Sequence, residues 1–260
     1  MTAKTVPSTT TKARSSPRVE RYGRPARRYH AMVYIASSVL LFTGWWLLSG
    51  GEGSPSWIAR LLSTTDATLH LWLGWAFAVV AVAGAMVGFG AVRTFIRESL
   101  AFRRGDGAWF ARWPGAIFSG RFASHRGHLD PGQRIANLVI VSCLAALVVS
   151  GVGMAAVHGG PAFVWLVRVH RWSTYVLTPV VIGHVLIASG ILPGYRGVWK
   201  SMHLGGGVNE EVVRRLWPES MPRLRAEKNE TARAKSGEAG RLRTRAGSRP
   251  DHASPRATKK

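Results

Sequence analysis

Four stretches of this chain are apolar for long enough to cross a lipid bilayer, and this constrains its fold more than any other feature. A bilayer core of ~30 Å needs ~20 mostly apolar residues in a helix. The stretches run over about 30–50, 68–92, 134–157 and 166–192. The expected fold is therefore all-α: an integral membrane four-helix bundle over residues 26–218, flanked by polar tails.

Charge supports that division. The chain carries a formal charge of +22 beside 47% hydrophobic residues, and the two are segregated into blocks. Residues 1–29 hold eight Lys/Arg and residues 193–260 hold sixteen. Neither segment shows a nucleic-acid-binding motif and both border apolar runs, so nucleic acid is not the expected partner. The tails, residues 1–25 and 219–260, have few large apolar side chains and are expected to be disordered. Their charge suits an anionic inner leaflet.

The loops between the spans set the orientation. Residues 51–67 hold only Arg60 as a basic residue and residues 158–165 hold none, whereas residues 93–133 hold seven arginines. By the positive-inside rule the middle loop and both termini are cytoplasmic, in the cell (inner) membrane. An even number of spans requires both termini on one side, so count and orientation agree. Residues 1–29 lack the apolar core of a signal peptide, and the first span is expected to act as an uncleaved anchor.

Several residues have ordinary membrane roles. Trp45, Trp46, Trp57, Trp72, Trp75, Trp165 and Trp172 gather towards the outer ends of the spans, where an apolar ring with one N–H suits the interface. Gly84, Gly88, Ser150, Gly151 and Gly153 allow close helix approach. Pro179 is expected to bend the fourth span. The single cysteine, Cys143, cannot alone build a disulfide, a cysteine-ligated zinc site or an iron–sulfur cluster.

Chemistry falls to the histidines. Of nine, four lie in or at the ends of apolar spans: His30, His70, His170 and His184. Ionisable residues at membrane depth are costly and are functional candidates. One such histidine is compatible with hydrogen-bonded packing; four at matched depths call for another reading. His30 opens the first span and His184 lies towards the end of the fourth, both on the cytoplasmic side. His70 opens the second span and His170 lies early in the fourth, both on the outer side. His170 and His184 are fourteen residues apart, a net rotation of about −40° and a rise of roughly 21 Å, so one helix presents both on the same side. Two imidazole pairs follow, His70 with His170 and His30 with His184.

Neutral imidazole is an ordinary axial ligand of haem iron, and four-helix bundles hold cofactors between facing helices. Two haems b are the expected cofactors. Zinc would need three or four ligands converging on one point, which a two-by-two arrangement does not offer. His125 and His128, in His125-Arg126-Gly127-His128, are metal-compatible in spacing but are read as solvated loop residues, as are His158, His203 and His252. A transporter or scaffold using the four histidines for protons or a non-haem metal is the reading from another class. Its customary internal repeat is not evident here.

The order of four spans, the two histidines fourteen residues apart in the fourth, and single histidines opening the first two resemble the cytochrome b (gamma) subunit of respiratory formate dehydrogenases, within the wider di-haem cytochrome b family. The likeness covers about residues 21–218. It includes Arg27-Arg28-Tyr29-His30, His70–Gly74, Pro131-Gly132-Gln133-Arg134, Met202-x-x-Gly205 and Val208-Asn209-Glu210-Glu211. The resemblance implies an electron-transfer subunit, not the primary dehydrogenase. Electrons would arrive from an iron–sulfur subunit, itself served by a molybdenum- or tungsten-type dehydrogenase subunit. They would pass through the His70/His170 haem and the His30/His184 haem to menaquinone or ubiquinone. It also implies that Gly132 and Gln133, with Asp130, line the quinone pocket; the alternative for these three is a turn and helix cap. A hydrogenase, or a thiosulfate- or polysulfide-type reductase, is the other partner considered.

Overall fold

The computed structural model describes residues 17–50, 54–203 and 205–247, and the chain divides into two units, Met1–Met221 and Pro222–Lys260. In the first unit a short strand β1 (Arg18–Glu20) precedes helix α1 (Arg24–Leu48), which admits a proline in its opening turn, where a backbone N–H has no partner to lose. Next come α2 (Trp57–Leu61), α3 (Asp66–Val87), α4 (Phe89–Leu100), α5 (Asp106–Ser119), α6 (Pro131–Ala156) and α7 (Gly160–Ala188). Two 3-10 turns (Pro193–Tyr195 and Val198–Ser201) lead to strand β2 (Gly207–Asn209) and helix α8 (Glu210–Leu216).

The long helices present their apolar side chains outward. No residue of α1 is buried, and Phe42, Val79, Val87, Val149 and Trp172 are all more than 60% exposed. Helices apolar all round with so little buried surface require lipid rather than water as their surroundings. Helices α1, α3 and α6 are each long and apolar enough to cross a membrane. Helix α7 meets that condition only together with the turns at 193–201, across a 64° bend. Of the four expected spans, three thus stand on their own, and the fourth is diluted by Arg168 and Arg171 in its first half. Helix α7 runs through Pro179 without a break, and the 64° bend comes later, after Ala188. The second span, expected to reach residue 92, breaks at Gly88 and continues as α4.

Helices α6 and α7 form the most extensive pair, and α1 with α3 the next. The second contact depends on Gly84: a Cβ there would run into the Tyr29 ring at Cε2. The Tyr29 hydroxyl, across the same contact, donates to the Ala81 carbonyl at 3.2 Å. Gly84→Ala is expected to cost about 1–3 kcal/mol, the usual range for overpacking, in thermal unfolding of detergent-solubilised protein. Adding Tyr29→Leu should recover part of that loss, because the ring is the object in the way; no recovery would place the strain elsewhere.

At the start of α6, a buried guanidinium organises the segment between α4 and α6. Arg134 is 1% exposed. It donates to the Leu129 carbonyl at 3.0 Å, the Ala101 carbonyl at 2.7 Å and Asp106 Oδ2 at 2.8 Å, and also to the Arg126 carbonyl. Next to it, Arg21 lies 3.5 Å from the centre of the Trp217 ring and donates to the His128 carbonyl. A cation over an aromatic face is attracted to it, more so when water is excluded.

Parts of the two expected tails fall within the described residues. Residues 1–16 and 248–260 lie outside the described residues. From Arg18 onward the N-terminal segment pairs antiparallel with β2, Val19 opposite Val208, and both valines are buried. Considered by itself, the second unit is described as most of a helix, α9 (Met221–Gly247). Its Ala, Glu, Lys and Arg content gives it helix propensity without a core, and Arg223 pairs with Glu227 one turn on at 2.8 Å.

Candidate cofactor site

The structure brings the four intramembrane histidines together two by two. His30, on the second turn of α1, and His184, late in α7, have ring centroids 6.4 Å apart at an interplanar angle of 52°. His70, early in α3, and His170, in the first half of α7, have centroids 6.2 Å apart at 82°. A metal–imidazole bond is about 2.0 Å, and the ring centre lies about 1.1 Å further on. Two imidazoles facing one metal from opposite sides therefore stand about 6 Å apart, and both pairs fit that spacing. Among the described residues no group of three or more His, Cys, Asp or Glu converges as a zinc site would.

The outer shell of the His70/His170 pair fixes which nitrogen faces the gap. Thr43, on α1, has its hydroxyl within reach of the Val39 and Leu40 carbonyls at 3.0 and 3.2 Å, and its oxygen is 2.7 Å from Nδ1 of His70. Ser150, on α6, donates to the Ala146 carbonyl at 2.5 Å, and its oxygen is 3.0 Å from Nδ1 of His170. With each hydroxyl hydrogen engaged by a carbonyl, each oxygen accepts from an Nδ1–H. The tautomer is then set, and the Nε2 lone pair of both rings is the one offered to a metal. Each ring also rests against a glycine: a Cβ at Gly44 would come 3.4 Å from Cε1 of His70, and one at Gly151 would come 3.5 Å from Cε1 of His170. The His30/His184 pair has a different neighbourhood. Tyr34 lies 5.7 Å from His30 and meets His203 edge-on at 5.8 Å, so His203, exposed in a bend as expected of a loop residue, also has a ring contact to α1.

The three residues implied for a quinone have local partners. Asp130 caps α6, its Oδ1 accepting from the Gln133 backbone N–H at 2.8 Å. Burial pushes the Asp130 carboxyl above the ordinary carboxylate range, while that N–H and then the neighbouring His125, Arg21 and Arg134 pull it back. Gly132 lies under the Trp109 ring, 2.9 Å from where a Cβ would sit. Gln133 uses its Oε1 to accept from the Trp217 indole at 3.1 Å, so its NH2 is the group that could serve another partner.

Sequence reasoning missed Thr43 altogether and read Ser150 only as a small packing residue. A hydroxyl inside an apolar span is a signal for an interhelical hydrogen bond, but the partner helix is not legible from spacing. His125, read as solvated, is 5% exposed, with Nε2 donating to the Leu216 carbonyl at 2.8 Å.

The family model of prokaryotic cytochrome b561 matches residues 21–205. The chain belongs to that family. No curated protein matches the chain. Members of the cytochrome b561 family are membrane electron-transfer proteins that bind haem b, and the apolar helices make this chain a multi-pass membrane protein. The likeness to a formate dehydrogenase gamma subunit is thereby supported at the level of a b-type cytochrome; the cytochrome b561 match does not single out that subunit. The matched span contains all four paired histidines, together with Thr43 and Ser150.

Proposed function

We propose that this chain is the membrane subunit of a redox complex, carrying electrons from an iron–sulfur partner at its His70/His170 end to a membrane quinone at its His30/His184 end. The supporting observation is the pair of facing imidazole sets, 6.2 and 6.4 Å between centroids, drawn from α1, α3 and α7. His70 with His170, and His30 with His184, each hold one haem b. A haem held by a pair of neutral imidazoles would supply one-electron transfer rather than oxygen activation. The four long helices act as a four-helix bundle in the inner membrane, both termini cytoplasmic, an orientation supported by the arginines of residues 93–133.

The quinone, menaquinone or ubiquinone, is met at the start of α6. The Gln133 NH2 donates to a quinone carbonyl, Gly132 stands beside it beneath the Trp109 ring, and the Asp130 carboxyl, which burial shifts upward, is the nearby group for proton delivery. The iron–sulfur partner belongs with a molybdenum- or tungsten-containing dehydrogenase of the formate dehydrogenase type, as the sequence resemblance implies.

Reduced-minus-oxidised spectra with a pyridine haemochrome assay of detergent-purified protein test this. The expected result is two haems b per chain with the narrow α-band of low-spin iron, reoxidised by added quinone. Folded protein without haem would overturn the reading and return the four histidines to a proton or metal path. The composition of the complex purified from membranes tests the partner. A hydrogenase, or a thiosulfate- or polysulfide-type reductase, in place of the dehydrogenase would reassign it.

A further inference from the structure

The two histidine pairs differ in what holds them. Among the described residues, His70 and His170 each have a hydroxyl oxygen on Nδ1, at 2.7 and 3.0 Å, and His30 and His184 have none. Both hydroxyls come from helices that do not carry the histidine they touch: Thr43 on α1 faces His70 of α3, and Ser150 on α6 faces His170 of α7. Each hydroxyl spends its own hydrogen on carbonyls of its own helix, Val39 and Leu40 for Thr43, Ala146 and Leu147 for Ser150. Such back-bonding fixes the rotor, so each oxygen is aimed as an acceptor.

We infer that Thr43 and Ser150 are positioning residues that tune the electron affinity of the group held at the His70/His170 end, leaving the other end untouched. The inference rests on the proposed haem ligation. An acceptor on Nδ1–H makes Nε2 a stronger donor to the metal. A stronger donor favours the oxidised over the reduced ion, because the higher charge gains more from it, and this lowers the midpoint potential. The two sites also stabilise the bundle by joining α1 to α3 and α6 to α7, but a purely structural role would not shift a potential.

The experiment is a spectroscopic redox titration of the detergent-purified full chain, wild type against Thr43→Val and Ser150→Ala. Ser150 is 1% exposed and Ala is smaller than Ser, so that variant is expected to fold. Thr43→Val keeps the side-chain shape, and Thr43→Ser restores the acceptor. Each loss of an acceptor should change the preference for the oxidised form by about tenfold, within the range measured for metal affinity when an outer partner is removed. For one electron that is an upward shift of about 59 mV, confined to one of the two titrating components. Haem content should stay at the wild-type value and Thr43→Ser should return the potential. A wild-type protein with two haems whose midpoints are both unmoved in both variants would overturn the hydrogen-bond assignment alone. A shift of both components equally would also overturn it. A wild-type chain without haem would overturn the ligation on which it rests.

Discussion

Replacing His170 by alanine is expected to remove one haem and keep the other, so that the reduced α-band falls to about half while the protein stays in the membrane. His70→Ala should do the same, because the two rings face each other at 6.2 Å and an iron left with one imidazole loses half its axial bonding. His30→Ala and His184→Ala should remove the other haem, the partner rings standing 6.4 Å apart. The pairing makes the pattern specific: the double replacement His70→Ala/His170→Ala should cost no more haem than either single one, whereas His70→Ala/His30→Ala should abolish binding. Complete loss from every single variant, in protein that still elutes as a folded species, would sink the two-by-two assignment. His125→Ala is the internal control. Its Nε2 serves the Leu216 carbonyl, so haem content should not change.

Arg134→Met should be among the most destabilising single changes in the chain outside the histidines, at about 3–5 kcal/mol, the range for breaking a buried ion pair from one side. The guanidinium and Asp106 are 2% and 10% exposed as side chains and lie 2.8 Å apart. Removing the cation leaves Asp106 without its countercharge, with only the Arg103 backbone N–H still donating to it, and strips donors from three carbonyls, at Ala101, Arg126 and Leu129. Lysine should not substitute, because one ammonium cannot reproduce the planar fork that reaches these oxygens together. Pairing Arg134→Met with Asp106→Leu should recover much of the loss, since no isolated buried charge then remains. Denaturant or thermal unfolding in detergent reads this directly. A cost below about 1 kcal/mol would mean that water reaches the site and that the segment between α4 and α6 is held by other contacts.

The histidine arrangement was legible because it depends on two things a sequence displays, depth within an apolar run and spacing along one helix. The fourteen-residue step from His170 to His184 survives within one continuous helix, even with Pro179 inside it. Thr43 and Ser150 were not legible in their roles, since each serves a ring on another helix. The segment containing His125 was misread for a related reason. An arginine-rich loop looks solvated, yet Arg134, Arg21 and Trp217 fold it inward around carbonyl oxygens that have no sequence signature. The strands β1 and β2 are three residues each, too short for alternation to show. The basic tail was read from composition as unable to build a core, and its described part is a polar helix.

The contact between Tyr29 and Gly84 works as a height gauge. Tyr29 immediately precedes His30, and its ring is seated in a notch only an absent side chain can provide, with its hydroxyl hooked on Ala81. Sliding α1 along α3 by one turn would lift the ring out of the notch and run it into neighbouring side chains. The vertical offset between His30 and His70 is therefore set by a tyrosine that binds nothing itself. If each histidine pair holds a haem, as proposed, the length of the electron hop between them would be calibrated by the notch as much as by the histidines.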